Sequence, residues 1–305
     1  GDERRTGIEN VSGEVDIEDL IAEETSVVTY TNIGYVKRQP LSMYNTQNRG
    51  GKGVSGMKRR EEDYVEDMFV ASTHDFILFI SNKGIMYKMK CYEIPEGSKQ
   101  SRGTNIVGLL PLAEGEKIAA MLKTSDFDEG KFVVMVTKNG KIKRTPLSAY
   151  KNVRKNGLIA IGLDEGDEIA GVRMTEGENE LIVATHNGRA IRIGEKQIRS
   201  MSRTAHGVRA IKLREGDYVV SMARIREGAT VLTVTDKGNG RRCEIDSYRV
   251  QNRGGFGLLN YKASDEKGYV CGIKVVDEED DIIMISTEGI IIRIRACDIR
   301  VMGRY

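Results

Sequence analysis

The chain has 305 residues, 39% apolar and 30% charged, with a formal net charge of +2, a composition that excludes a disordered or collagenous protein. No apolar run approaches the ~20 residues a membrane helix needs, and the acidic N-terminal residues do not form a secretory signal. Cys91, Cys243, Cys271 and Cys297 lack C-x-x-C spacing and the three histidines are scattered, which argues against a disulfide framework or zinc site and for reduced packing thiols in a cytoplasmic protein.

Residues 1–24 carry nine acidic residues against Arg4 and Arg5 and read as a linker, briefly helical over 17–22. From residue 25 onward one pattern recurs six times. A short run rich in Val and Ile (27–31, 77–81, 133–137, 181–185, 231–235, 282–286) is followed by a turn glycine at Gly34, Gly84, Gly140, Gly188, Gly238 and Gly289. The runs are too short for helices and read as strands. Pairs such as Asn139-Gly140 and Asn187-Gly188 suit a hairpin turn that needs a left-handed residue. A second strand starts after each glycine, and further strands are expected at 117–122, 168–174, 218–223 and 269–276.

The glycines are spaced by 50, 56, 48, 50 and 51 residues. A period near 50 with about four strands per unit predicts an all-β fold, a six-bladed, propeller-like β-pinwheel of stacked antiparallel blades. The expected division is 1–24 as linker and 25–305 as one six-repeat domain, with approximate units 25–72, 73–128, 129–176, 177–226, 227–278 and an incomplete 279–305. The sixth unit is then either trimmed or completed by strands from elsewhere.

Two cationic series keep register with the glycine. Four residues after it stand Arg38, Lys88, Arg144, Arg192, Arg242 and Arg293; 14 to 18 residues after it stand Arg49, Arg102, Arg154, Arg203, Arg253 and Arg304. Residues 25–60 contain no Asp or Glu but do contain Lys37, Arg38, Arg49, Lys52, Lys58, Arg59 and Arg60. Equivalent positions on stacked blades fall on one rim, and a stripe of forked guanidinium donors is complementary to a bent phosphate backbone. Such contacts position DNA without reading its sequence. The bland reading is that surface positions of repeats are often charged, but no acidic residue occupies these places. The first-series cation shares strand parity with an apolar residue two positions earlier, so it lies where the strand leaves the core or beside a bulge.

Glycines cluster behind the second series, most densely in Gln47, Asn48, Arg49, Gly50, Gly51, Lys52 and Gly53, with a related segment at 251–257 that lacks the lysine. Glycine lets backbone approach a ligand and exposes amides to phosphate. Residues 51–56 match G-x-G-x-x-G literally, but a dinucleotide site needs a βαβ unit around it. His74-Asp75 and His206 lack an evident catalytic partner and read as turn residues, and the acidic run 277–281 reads as a solvated turn facing away from DNA rather than a metal site.

The segment 47–53 resembles the Q-x-R-G-G-x-G box of the C-terminal domain of bacterial DNA gyrase A subunits, in a matching context at 34–42, and the resemblance extends over roughly 15–305. Asn48 stands where arginine is common in that family. The resemblance implies a β-pinwheel that chirally wraps duplex DNA so that gyrase introduces negative supercoils, with the box needed for wrapping. It implies an enzyme, an ATP-dependent topoisomerase, whose catalytic tyrosine, ATP and Mg2+ belong to other domains, so that this domain has no catalytic residue, metal or cofactor of its own. The implied partners are duplex DNA, the remainder of the gyrase A polypeptide and the gyrase B polypeptide in an A2B2 heterotetramer, the isolated domain being a monomer in the bacterial cytoplasm. The rivals are the corresponding domain of topoisomerase IV, with a degraded box and often fewer blades, and a protein-interaction propeller. WD repeats are shorter and carry Trp-Asp, and this chain has no tryptophan.

Overall fold

The computed structural model describes residues 17–44, 54–55, 65–128 and 130–305. Their secondary structure is strand, turn and eight short 3-10 turns. The helical expectation at 17–22 appears as a 3-10 turn at Ile17–Leu20.

In the first repeat, strands Thr25–Thr31 and Tyr35–Pro40 form an antiparallel hairpin around Gly34, which has φ of +90°. A 3-10 turn follows at Leu41–Met43, then the two-residue strand Val54–Ser55 and the longer strand Val65–Ser72. The long strand returns to pair with the first, Thr25 opposite Ser72, with a register shift between Tyr30 and Thr31. The next four repeats use the same order.

The two-residue strands do not stay with their own repeat. Thr104–Asn105 pairs with Tyr35 and Val36 of the preceding hairpin, Leu158–Ile159 with Ile85 and Met86, Val208–Arg209 with Lys141 and Ile142, and Leu258–Leu259 with Arg189 and Ala190. Val54–Ser55 pairs with Ile290 and Ile291, joining the first repeat to the last. The strands group into four sheets of four strands and two of three among the described residues. Each four-stranded sheet runs long, first, second, short. The long strands of successive repeats meet around a central cavity of about 510 Å³, lined by Met68, Ala120, Val172, Val220 and Ile273. The short strands and their loops therefore lie on the outer edge.

The core lies between sheets. Ile77 and Phe79 pack toward Val28, Tyr30 and Val36 of the repeat before, whereas Leu78 and Ile80 pack toward Val133 and Met135 of the repeat after. Leu181 and Val183 divide from Ile182 and Ala184 in the same way. Alternate side chains of one strand enter different interfaces because successive Cβ atoms point to opposite faces. This explains why the first strands are continuous apolar runs: both faces are buried. Asp281–Ile285, in the last repeat, is only half-buried along its length.

Cys91 and Cys243 are buried as expected, but Cys271 and Cys297 are exposed; all four are free. His74 lies in the turn after Val65–Ser72 and its Nε2 meets the Ile21 carbonyl at 2.7 Å. His206, beside a turn, holds Asp164 at 2.8 Å. Of residues 51–56, only Val54–Ser55 is described, as strand.

Candidate nucleic-acid interface

The two cationic series occupy different environments. The first projects into the junctions between repeats, where the second strand ends and a 3-10 turn of the next repeat abuts it. Arg38 donates from Nε to the Ile94 carbonyl at 3.1 Å and faces Glu96 at 3.9 Å. Lys88 donates to the Lys151 carbonyl at 3.0 Å and lies over Phe76 and Phe127. Arg144 reaches Gly177 O and Glu195, both at 3.4 Å, and stacks 4.5 Å from Phe132. Arg192 binds Glu180 and donates to the carbonyls of Ile245 and Tyr248 at 3.2 and 2.9 Å. Arg242 is 3% exposed and pairs with Glu278 at 2.9 Å. Arg293 holds Asp281 and donates to Tyr44 O of the first repeat at 2.5 Å.

Arg38, Lys88, Arg144 and Arg192 thus clasp one repeat to the next and Arg293 clasps the last to the first, whereas Arg242 holds Glu278 at the end of its own repeat. For Arg38, Lys88, Arg192 and Arg293 the register follows from the fold: the carbonyls ending a neighbouring 3-10 turn need donors. The parity problem resolves the same way. Val36 and Arg38 do face one side, and that side is an inter-sheet junction rather than solvent. The bulges lie instead between first and long strands. The sequence-based placement of Arg38, Lys88, Arg144, Arg192, Arg242 and Arg293 on an open rim is thereby revised: each makes a hydrogen bond or ion pair within the protein, while the Nε atoms of Arg144 and Arg242 are buried without a hydrogen-bond partner among the described residues. Lys37, also assigned there, is 4% exposed, its Nζ donating to the carbonyls of Ser98, Lys99 and Ser101 at 3.1, 3.2 and 3.0 Å. Burial pushes its pKa down to about 8.

If the first series is a clasp, replacing Arg192 with alanine leaves the Ile245 and Tyr248 carbonyls without their donor and Glu180 without its pair. The expected loss is about 3 kcal/mol of stability, with an unchanged salt dependence of DNA binding. Denaturant unfolding and a salt titration on one preparation check both halves.

The second series lies on the outer edge. The loops that carry it run parallel to the preceding repeat's second strand, through the bridges Arg38–Glu96, Arg144–Ser200, Arg192–Val250 and Arg242–Val301. Arg154 and Arg253 are exposed, and Arg102, Arg203 and Arg304 half-exposed. The Arg102 guanidinium lies 5.0 Å from the Tyr35 ring, and Arg304 lies 5.6 Å from Tyr248 while donating to Leu259 O at 3.0 Å. Arg253 is fixed by its backbone N–H to Gln197 Oε1 at 2.8 Å and by Nε to Gln197 O at 3.1 Å. Among the described residues, no carboxylate pairs with Arg154, Arg203, Arg253 or Arg304. Gln47, Asn48, Arg49, Gly50, Gly51, Lys52 and Gly53 lie outside the described residues.

The related segment at 251–257 shows what such a loop can do. Gly254 and Gly257 have φ of +88° and +72°, and the Gly254 N–H donates to Ala210 O at 2.7 Å. Phe256 is 40% exposed, with Lys212 and Arg214 at 5.0 and 5.6 Å from its ring. Arg189 donates to Gly257 O at 2.7 Å. This sector gathers cations without carboxylate partners among the described residues.

A third register escaped the sequence reading. Eleven residues after the turn glycine stand Lys151, Arg199, Arg249 and Arg300, all exposed, just past the 3-10 turns. The signal was present, but only four of six repeats carry it, since Asn45 and Pro95 hold the other places.

The acidic run is a solvent-exposed turn, with Asp277 and Glu278 side chains 48% and 63% exposed, and it also forms ion pairs. Asp277 and Asp280 hold Arg226 at 2.8 and 3.1 Å, and Glu278 and Asp281 hold Arg242 and Arg293.

The chain matches the family described as DNA gyrase C-terminal domain, beta-propeller, over 25–72, 75–125, 131–176, 179–226, 229–277 and 280–305. It is 46% identical over 304 residues to the DNA gyrase A protein of Clostridium acetobutylicum, covering 100% of this chain and 37% of that protein. It is 42% identical over 304 residues to the DNA gyrase A protein of Escherichia coli strain K12, covering 100% of this chain and 35% of that protein. The chain thus spans little more than a third of these relatives. A solved DNA gyrase A C-terminal domain superposes with a TM-score of 0.85 at 28% identity, covering 92% of each chain. The C-terminal domain of a DNA topoisomerase IV gives 0.69 at 28% identity, covering 93% of this chain and 88% of that one.

Proposed function

Because the chain belongs to the DNA gyrase C-terminal domain family, we propose that it is a six-bladed pinwheel that binds, bends and chirally wraps duplex DNA around its outer edge, so that gyrase introduces negative supercoils. The observation that carries this reading is the repeated outer-edge cations, Arg154, Arg203, Arg253 and Arg304 with Lys151, Arg199, Arg249 and Arg300, left without carboxylate partners among the described residues. Bending a duplex around such a body costs about 1–6 kcal/mol, recovered through many phosphate contacts that carry no base readout, as histones do. The domain acts in an assembly with the rest of the gyrase A polypeptide and with the gyrase B polypeptide, and strand cleavage, ATP and Mg2+ belong to those other parts. The box at 47–53 is the site at which the wrap is secured.

The topoisomerase IV reading is favoured by the second structural likeness, but that superposition is the looser one. A protein-interaction propeller leaves the unpaired cations without a purpose. Titrating linear duplex at rising salt tests the reading. With about six phosphate contacts, log K against log salt should slope near −5. A slope shallower than about −2 would contradict the rim.

A further inference from the structure

The position three residues after the turn glycine alternates around the ring: Lys37, Tyr87, Lys143, Ile191, Arg241 and Ile292. The cations fall in the first, third and fifth repeats, and their environments differ from those of the rim. Lys143 is fully buried, its Nζ donating to the carbonyls of Arg203, at 2.6 Å, and Ala160, with the Tyr150 hydroxyl at 3.4 Å. Lys37 donates to three carbonyls of 98–101, the residues that lead into Arg102. In each case the acceptors include backbone of the outer-edge loop of the following repeat, at or beside its second-series arginine. Arg241 lies 5.7 Å from the Tyr261 ring with Nη1 buried and without a hydrogen-bond partner among the described residues.

A buried ammonium with converging carbonyls is a directional constraint. It fixes loop backbone where no regular strand pairing does, and its bonds are charge-assisted. We propose that Lys37 and Lys143 are positioning residues for the rim: their ammonium groups fix the loops that present Arg102 and Arg203 to the phosphate backbone, and their deprotonation releases those loops. This rests on the DNA-rim reading above and adds to it a dependence on pH.

The charged and titratable groups around Lys143 are Arg203, Tyr150 and the Asp164–His206 pair; around Lys37 they are Glu96, Lys99, Arg102 and Tyr44. No carboxylate bonds either ammonium among the described residues. Burial, with Arg203 adding to it, pushes Lys143 down to about 7 from 10.5, and burial pushes Lys37 to about 8. Global stability moves the other way. Between about pH 7 and 10.5 the unfolded chain keeps protons that the native lysines have released, so the fold gains stability as pH rises. Loosened DNA binding at alkaline pH is therefore separable from unfolding.

The experiment is duplex binding by the full-length protein carrying this chain, read as the salt slope between about pH 7 and 9. The wild-type slope is expected to shrink by about one, because Lys143, near 7, has already released its loop in half the molecules at the lower pH and each arginine counts for about 0.9. Lys37→Met with Lys143→Met is expected to start at the smaller slope and stay there at every pH. A folded double variant with the wild-type slope and pH profile would overturn the proposal. So would a pH response abolished by His206→Asn. Should the double variant not fold, Arg102→Ala with Arg203→Ala takes its place. Loss of the pH response there supports the clamp, and its persistence overturns it. Absence of salt-dependent binding at any pH is a different result, in which the rim reading fails and the clamp with it.

Discussion

Gly188→Ala is expected to destabilise the protein by more than about 4 kcal/mol, whereas Gly238→Ala, at the equivalent turn, should cost about 1 kcal/mol. Both glycines have positive φ, +92° and +76°, so the backbone strain of an L residue is common to both. The difference is what a Cβ would meet. At Gly188 it would lie 1.9 Å from the carbonyl oxygen of Tyr261, whereas at Gly238 nothing lies within 4 Å. Tyr261 cannot simply retreat. The N–H groups of Asn260 and Tyr261 donate to Gly188 O at 2.8 and 3.1 Å, and the Asn260 side chain is held by Thr233 and by the Tyr248 hydroxyl. Moving the loop would break the strand exchange between the fourth and fifth repeats. Urea unfolding of the two variants checks the contrast, and equal losses would mean that the exchange contributes little.

Replacing Lys151, Arg154, Arg199 and Arg249 together with alanine should have the opposite profile. All four are exposed and none meets a carboxylate among the described residues. Stability should change by less than about 0.5 kcal/mol per site. The slope of log K against log salt should fall by about 3 to 4, because each phosphate neutralised contributes about 0.9. Weakening that is uniform across DNA sequences would accompany it, since phosphate contacts carry no base information. Paired with Arg192→Ala, which should unfold the protein more readily yet leave the slope intact, this variant separates rim from clasp.

The sequence exposes one half of this arrangement and conceals the other for physical reasons. The turn glycines and apolar runs are local signals. Gly34, Gly84, Gly140 and Gly188 all turn hairpins with left-handed φ, and the runs beside them are strands. The exchange of Thr104–Asn105 or Leu258–Leu259 into the neighbouring sheet leaves no such mark, because two residues show no period. The 3-10 turns at Glu195–Gln197 and Ile245–Ser247 are equally short. Register alone also cannot tell why a cation recurs. Arg192 and Arg203 repeat equally well, one because the carbonyls of Ile245 and Tyr248 need a donor, the other because its loop runs along the outer edge. The ion pairs of Asp277 and Glu278 are hidden for the same reason: their partners, Arg226 and Arg242, stand 51 and 36 residues earlier in the chain. For 47–53 the reading rests on its sequence, since those residues lie outside the described ones.

Chiral wrapping is tested most directly by linking number. Relaxed circular DNA is bound by the domain, treated with topoisomerase I, deproteinised and resolved on a gel. A shift in linking number that grows with protein, and disappears when residues 47–53 are replaced by alanine, is the predicted result. Tight, salt-sensitive binding with no shift would contradict it, leaving a module that bends DNA without a fixed hand.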